Sequence, residues 1–424
     1  MRRIKIGLIG CGMIVERAHI KAFEEIMKRD ADLFRVAALC DLKEDNARRI
    51  ANYISQFQKD ITPKIYTDYE KMLEIEDLDA VSVATPHFIH AKPTIEALEK
   101  GVNVVIEKPF SITINAGRKM IEASKRSGKI LACIEPRRRS VRSRLIDWII
   151  NKEKIIGKAR FHVYHEVEPE KRFSLIVGTP WRHDKYMAGG GWALDGLVHY
   201  FDFLRMIFGD ALEVYAKVKN FEPIRFLDYI EGKGGSKTKP VRSNVEDSVF
   251  SILTFESGVI SSITWSSATH GEWSLMRGYY GEQGSLVLIG LPEVKAKTGF
   301  PEETGFLTWE SGKESIENLE KRFMESLDEE EKGRFFPLGM TNPYAIAYYD
   351  FFDSILTKRQ PEITGEDALA AQAIAEAMYE SSIVGEPVCV KDIIEGKISV
   401  YQREIDEMLE NTSFTRLLEG YFKG

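Results

Sequence analysis

Alternation of short apolar runs with amphipathic stretches through the first third of the chain limits its fold more than any other feature. Residues 4–10 (IKIGLIG), 35–41 (RVAALCD), 79–86 (DAVSVATP), 102–106 (VNVVI) and 129–135 (KILACIE) read as strands, with a weaker one in KIYTD. Between them, residues 13–29, KEDNARRIANYISQF, YEKMLE, HAKPTIEALEKG and 115–127 read as helices, the fourth stopped by Gly101. Repeated β-α-β units of this kind predict an α/β fold with a doubly wound, mostly parallel sheet.

Beyond about residue 137 the pattern changes. ARFHVYHEV, EVYAKVKNF, DSVFSILTF, GVISSITWSSAT and GSLVLIG alternate in the manner of half-buried antiparallel strands. These predict an α+β domain with a large, mainly antiparallel open sheet, helices on one face and the other face in need of cover. Residues 231–240 (EGKGGSKTKP) and the charged run at 310–334 read as loop or solvated helix. Residues 342–357 and 366–383 read as amphipathic helices, and a polar helical tail follows. The expected division is 1–136, 137–390 and a helical extension 391–424.

A net charge of −7 gives no general attraction to nucleic acid or to an anionic membrane. No apolar run approaches membrane-spanning length. Cys11, Cys40, Cys133 and Cys389 are scattered, without zinc or disulfide spacing. The first strand starts almost at Met1, so no signal peptide and a reduced cytoplasmic setting are the expectation.

GLIGCGMIVERAH joins the first strand to the first helix. Gly10 and Gly12 fill the first two places of G-x-G-x-x-G, one for a tight turn and one for close approach of backbone to a pyrophosphate at a helix N-terminus. Val15 takes the third place, where glycine usually lets helix and strand pack closely. The loop predicts a dinucleotide site in a Rossmann-type domain. Asp41, ending the second strand, is placed to accept hydrogen bonds from the adenosine ribose and to repel a 2′-phosphate, so NAD is favoured over NADP. It also suits a cap for the helix starting near Lys43.

The run 102–106 stops abruptly at Glu107, Lys108 and Pro109. This is either an ordinary strand terminus or a lysine delivered to the end of a parallel sheet where ligands gather. In GGGWALDGLVHYFDFLRMIFG (189–209), Asp195 and His199 stand four apart on an expected helix, as a packing pair or a catalytic one. Asp202, a turn further, reads as solvated.

GLIGCGMI, ATPHFIHAKPTIEALEKGVNVVIEKPF, TPWRHDKYMAGGGWALDGLVHYFDFL and VEDSVFSILTFESGVISSI together resemble the glucose–fructose oxidoreductase, inositol dehydrogenase and MocA family (Gfo/Idh/MocA). YYGEQGSLVL and YYDFFDSILTKRQP…AEAMYESSIVGEPV extend the resemblance over most of residues 4–390. Departures are Val15, the insertions at 222–243 and 292–341, and the tail beyond 391. The resemblance implies an NAD-dependent dehydrogenase acting on a secondary hydroxyl of a sugar, cyclitol or related polyol. It implies cofactor contacts from Gly10, Gly12, Met13, Ile14 and Asp41, from the loop of Thr85, Pro86, His87 and His90, and from Glu107 and Lys108. Lys108 would lie near the reacting carbinol with Asp195 and His199 as partners, and a homodimer or homotetramer is expected.

Alcohol oxidation releases a proton as well as a hydride, so a titratable group must reach the hydroxyl. Histidine suits the base, here His199; Lys108 suits the developing alkoxide, and Asp195 suits orientation. No metal is required. Trp181 and Arg182 of TPWRHDK are candidates for the face and hydroxyls of a sugar ring, Trp181 equally for core. Arg137 is a further candidate for substrate contact, while Arg138–Arg144 read as a solvated helix. Two alternatives share the fold: a glycosidase using NAD in a transient oxidation–elimination cycle, and a non-catalytic cofactor-sensing protein.

Overall fold

The computed structural model describes residues 3–169, 179–226, 240–292 and 302–413, together with 416 and 418. The chain forms two compact units, one of residues 1–141 and 327–369, the other of 142–326 and 370–424. The sequence division had kept 327–369 with the second domain.

In the first unit, β1 (Ile4–Ile9), β2 (Phe34–Cys40), β3 (Lys64–Tyr66), β4 (Ala80–Val83), β5 (Asn103–Ile106) and β6 (Leu131–Cys133) form one sheet. Its order is β3-β2-β1-β4-β5-β6, with every pair parallel. β1, β4 and β5 are buried almost throughout, which is why they read as unbroken apolar runs rather than alternating ones. The strand order reverses between β1 and β4, and in such sheets ligands bind beyond the carboxyl ends at that point. Gly10 and Thr85 stand there.

Helix Pro343–Thr357 belongs to this unit because its aromatic face fits the first βαβ layer. Phe352 stacks on Phe34 of β2 at 4.6 Å between ring centroids, and Tyr348 meets Phe23 edge-on at 4.6 Å. Arg139 is almost fully buried and pairs with Asp350 of this helix at 2.8 Å. The expectation of a solvated basic helix at 138–144 is therefore corrected. Arg138, Arg139 and Arg144 are all buried, the second by an acidic partner distant in sequence.

The second unit carries β7 (Ala159–Val167), β8 (Ala211–Lys219), β11 (Ser248–Phe255), β12 (Ile260–Ser266), β13 (Ser274–Gly281), β14 (Gly284–Gly290), β15 (Glu303–Trp309), β16 (Gly312–Ser315) and β17 (Val388–Cys389). Their order is β16-β15-β14-β13-β7-β12-β11-β8-β17, with β7–β12 the one parallel pair among them. β9 (Ile224–Phe226) and β10 (Pro240–Arg242) form a separate ribbon at the first insertion. Residues 231–239 of the expected Gly/Lys loop lie outside the described residues. The second insertion is more structured than its charge suggested. β15 and β16 extend the sheet edge, and helix Ile316–Ser326 buries Ile316, Leu319 and Phe323.

One sheet face is core, with Val249, Leu253, Ile263, Trp265 and Tyr164 buried. The alternate positions Tyr215, Phe250, Ile252, Ile260, Phe161, Ile289 and Phe306 are exposed. Register places Ile252 beside Tyr215 and Ile260 beside Phe161.

Candidate active site

Gly10 has φ 93°, a conformation that costs other residues energy, and a Cβ there would fall 2.4 Å from the Ala84 carbonyl oxygen. The glycine thus lets the first loop pass against the loop after β4. A Cβ on Gly12 would meet nothing within 4 Å, so its backbone faces open space. Met13 is exposed and Ile14 half-buried, while Val15 is fully buried. The expected helix over 13–29 is continuous, with a π-helical stretch, Val15–His19, ahead of the α-helical Ile20–Arg29.

Asp41 ties the loop to the second strand. One carboxylate oxygen accepts the Cys11 N–H at 2.8 Å; the other accepts the Lys43 N–H at 2.8 Å and the Asn46 side chain at 3.1 Å. It holds the start of the following helix as well as the glycine loop. The open backbone at Gly12, the close packing at Gly10 and the anchored carboxylate fit a dinucleotide with a ribose diol. Gly10, Gly12 and Asp41 would hold it.

After β4, Thr85 and Pro86 lead into a short 3₁₀ turn, His87–Ile89. His87 and His90 are buried, so neither presents an open imidazole. The His90 ring lies between the Pro109 and Thr85 carbonyl oxygens, at 2.8 and 2.9 Å. Burial lowers its pKa and keeps the ring neutral, so it donates to one carbonyl at a time. Its observed contacts staple the β4 loop to the end of β5.

β5 delivers Glu107 into the interior and Lys108 to a half-buried position. Glu107 Oε1 lies 2.8 Å from His19 Nε2, and Oε2 accepts the Lys108 backbone N–H at 3.1 Å. His19 Nδ1 lies 2.9 Å from the Tyr348 hydroxyl, itself 2.7 Å from Ser82 Oγ. One donor order satisfies the row: Ser82 donates to Tyr348, Tyr348 to His19 Nδ1, and His19 Nε2–H to Glu107 Oε1. The carboxyl group beside Lys108 is thus buried and hydrogen-bonded, as a buried polar group must be.

Arg137, in the first unit, opens a short 3₁₀ turn beyond β6 and is half-buried.

In the second unit the expected single helix at Asp195 and His199 is two. Trp192–Asp195 closes at Gly196, and Val198–Phe208 begins after it. The Trp192 ring stacks on Trp265 and lies where a Gly196 Cβ would stand, 2.2 Å from the nearest ring atom. Asp195 ends one helix and His199 sits in the first turn of the next. Asp195 accepts Arg182 Nε at 2.9 Å, and Arg182 Nη1 donates to Thr179 Oγ1 at 3.0 Å. The Arg182 guanidinium lies 4.4 Å from the Trp181 ring centroid, and Trp181 is buried. Asp202 is fully buried, contrary to its solvated reading.

Two groups here escaped the sequence reading. Glu246 is buried and accepts the N–H groups of Gly191 at 2.8 Å and Ala193 at 2.9 Å. Burial pushes its carboxyl up to about 7, against the pull of those donors. His183, beside Arg182, is held down at about 4 by burial, then by the Arg225 and Arg182 charges.

Residues 4–134 match GFO_IDH_MocA, an oxidoreductase family with an NAD-binding Rossmann fold, and residues 156–287 match the GFO/IDH/MocA C-terminal domain. The chain belongs to the Gfo/Idh/MocA family. It is 26% identical to a 1,5-anhydro-D-fructose reductase of Ensifer adhaerens, over 76% of this chain and 83% of that one. It is 24% identical to a D-glucoside 3-dehydrogenase of Escherichia coli, over 68% and 77%. Its fold resembles a levoglucosan dehydrogenase solved with NADH and L-sorbose, with a TM-score of 0.72, 20% identity, and 92% and 100% coverage.

As a Gfo/Idh/MocA member the chain is an NAD-binding oxidoreductase acting on CH–OH groups, with an α/β dinucleotide domain and a mixed-sheet second domain. The structure brings Gly10, Gly12, Asp41 and Thr85 to the switch point of the first sheet, with Lys108 ending the strand next to β4. It brings Trp181, Arg182 and Asp195 together in the second unit. Among the described residues, no group of three His, Cys, Asp or Glu side chains is placed to hold a metal ion. Among the same residues no helix is long and apolar enough to cross a membrane.

Proposed function

We propose that this protein oxidises a secondary hydroxyl of a sugar, cyclitol or related polyol, with NAD in preference to NADP. Lys108 carries the reading: a half-buried lysine at the carboxyl end of β5, its backbone fixed by a buried, hydrogen-bonded glutamate. When bound, NAD supplies the hydride acceptor. The ammonium of Lys108 stabilises negative charge as the hydroxyl proton leaves, and His199 accepts that proton as a neutral imidazole. Asp195, held through Arg182, orients a substrate hydroxyl or the imidazole. Trp181 and Arg182 border the sugar, and Arg137 is a further contact to substrate or cofactor. The names of the reductase, glucoside dehydrogenase and levoglucosan dehydrogenase support a carbohydrate substrate.

The exposed apolar face of the second sheet supports a homodimer or homotetramer. The function is tested by incubating purified protein with NAD and a panel of polyols, sugars and glycosides. NADH accumulation with a polyol or sugar is expected. Glycoside cleavage without net NADH would reject the dehydrogenase in favour of a glycosidase, and cofactor binding without turnover of anything would reject catalysis.

A further inference from the structure

The family models match residues 4–134 and 156–287, and the tail beyond 391, which lies outside both, is tied to the segment bearing Asp195. Helix Val400–Asn411 has no side-chain cap of its own at Ser399. Instead the buried Glu380 carboxylate accepts the Tyr401 N–H with both oxygens at 3.0 Å, and the Gln402 N–H at 3.4 Å. Gln402 and Ile405 are buried, so this helix is packed into the unit.

Tyr401 stacks on Tyr379, with ring centroids 4.5 Å apart and planes 21° from parallel. Tyr379 donates its hydroxyl to Glu246 Oε1 at 3.0 Å, and Glu246 holds the Gly191 and Ala193 N–H groups. The glycines make this approach possible. A Cβ on Gly190 would fall 2.1 Å from the Tyr379 oxygen, and one on Gly191 2.4 Å from the Glu246 carbonyl oxygen. Asp195 N–H in turn donates to the Gly191 carbonyl at 2.9 Å. A second strut reaches the preceding turn: Glu404 pairs with Lys185 and accepts the Tyr186 hydroxyl, and the Lys185 ammonium lies 5.5 Å from the Tyr401 ring centroid. The Glu404 side chain is well exposed, so this ion pair contributes little, and the tyrosine stack with its buried hydrogen bonds carries the connection.

We propose that the C-terminal helix is part of the substrate side of the enzyme: Tyr401, acting through Tyr379 and Glu246, is a positioning residue for the Gly191–Asp195 turn. The inference rests on the reading of Asp195 as a substrate-side residue. Removing the ring leaves Tyr379 without its stacking partner and loosens the carboxylate that fixes the turn. Misplacement of a catalytic group by about 1 Å costs on the order of 10²-fold in rate.

The test compares wild type, Tyr401→Ala, Tyr401→Phe and a chain truncated after Ile394. Tyr401→Ala and the truncated chain should show kcat/KM for the polyol about 10- to 100-fold lower, with NADH affinity by fluorescence titration unchanged. Tyr401→Phe, which keeps the ring, should restore wild-type values. Amide exchange over residues 189–195 should accelerate in Tyr401→Ala relative to Tyr401→Phe, a readout that stands even if wild type oxidises no polyol and the functional reading fails. Unchanged kcat/KM and unchanged protection at 189–195 in Tyr401→Ala would overturn the proposal. So would equal losses of NADH affinity and turnover with exchange raised throughout, which mark lost fold rather than lost position.

Discussion

His19 Nε2 lies 2.8 Å from Glu107 Oε1, with both side chains removed from solvent. The imidazole is one of the partners that satisfy the buried carboxyl group beside Lys108. His19→Ala takes that donor away while the Lys108 N–H stays on the other oxygen, and losing a hydrogen bond to a buried carboxylate costs about 1.5–3 kcal/mol, with the cavity left by the ring in addition. Tyr348→Phe removes the two neutral hydrogen bonds of that hydroxyl, to His19 and from Ser82, and should cost about 2 kcal/mol. Urea unfolding of the two variants should show that order. A loss in His19→Ala no larger than in Tyr348→Phe would mean that the His19 bond to Glu107 adds little.

Asp41 links cofactor choice to loop geometry. Its carboxylate should favour NAD over NADP by repelling a 2′-phosphate, and its bond to the Cys11 N–H fixes the glycine loop. Asp41→Ala should therefore weaken NAD binding and narrow its advantage over NADP. Titration of both cofactors against wild type and variant checks this. Equal affinities in wild type would reject Asp41 as the discriminating group.

Glu246 should make stability fall as pH rises. With its carboxyl pushed from 4.5 to about 7 by burial, the folded state keeps a proton that the unfolded chain releases between those values. The stabilisation is full below pH 4.5 and is lost as pH rises through about 7, amounting to on the order of 3 kcal/mol. His183 works in the opposite direction: held at about 4, it contributes above its unfolded value of 6.5 and loses that contribution on acidification towards 4. Denaturant unfolding at several pH values should show wild type losing stability relative to Glu246→Gln between pH 5 and 8. Parallel curves would remove the shift.

The tight glycine loop, the place of Asp41 at the end of β2 and the strand that stops before Glu107 were legible because each is a local pattern of a few neighbouring residues. The row around His19 was not, since Glu107 is 88 positions away and Tyr348 is 329. The same holds for Arg139, which reads as solvent-exposed in a basic run until Asp350 arrives from a remote helix. Glu246 gives no local sign of gripping Gly191, and spacing cannot place the Trp192 ring that leaves no room for a Cβ at Gly196. Periodicity revealed which faces are apolar. It did not reveal which buried charges would meet.

The exposed face of the second sheet should be an interface between copies of the chain. Phe250, Ile252 and Ile260 are 42%, 52% and 52% exposed, and cross-strand register sets Ile252 beside Tyr215 and Ile260 beside Phe161. Light scattering at micromolar concentration should give a dimeric or tetrameric mass, and Phe250→Glu combined with Ile252→Lys should lower it. A monomeric wild type would contradict this assignment.

Lys108 and His199 are assigned different parts of one proton-coupled hydride transfer, so their variants should fail differently. Removing a general base typically costs about 10²–10⁴-fold in rate, and His199→Ala should lose turnover on that scale while still binding NADH. In wild type, oxidation should decline on acidification, because an imidazole accepts the hydroxyl proton only when neutral. That acid limb should vanish or move in His199→Ala. Lys108→Ala should also retain its fold and NADH affinity, since the half-buried side chain at the end of β5 adds little to the core. It should lose turnover but keep the wild-type acid limb, because the ammonium stabilises charge without accepting the proton. Steady-state kinetics across pH with all three proteins distinguishes the roles. A His199→Ala enzyme with near-native turnover and an unchanged limb would take His199 out of the mechanism. Loss of the limb in Lys108→Ala instead would transfer the role of base to the lysine.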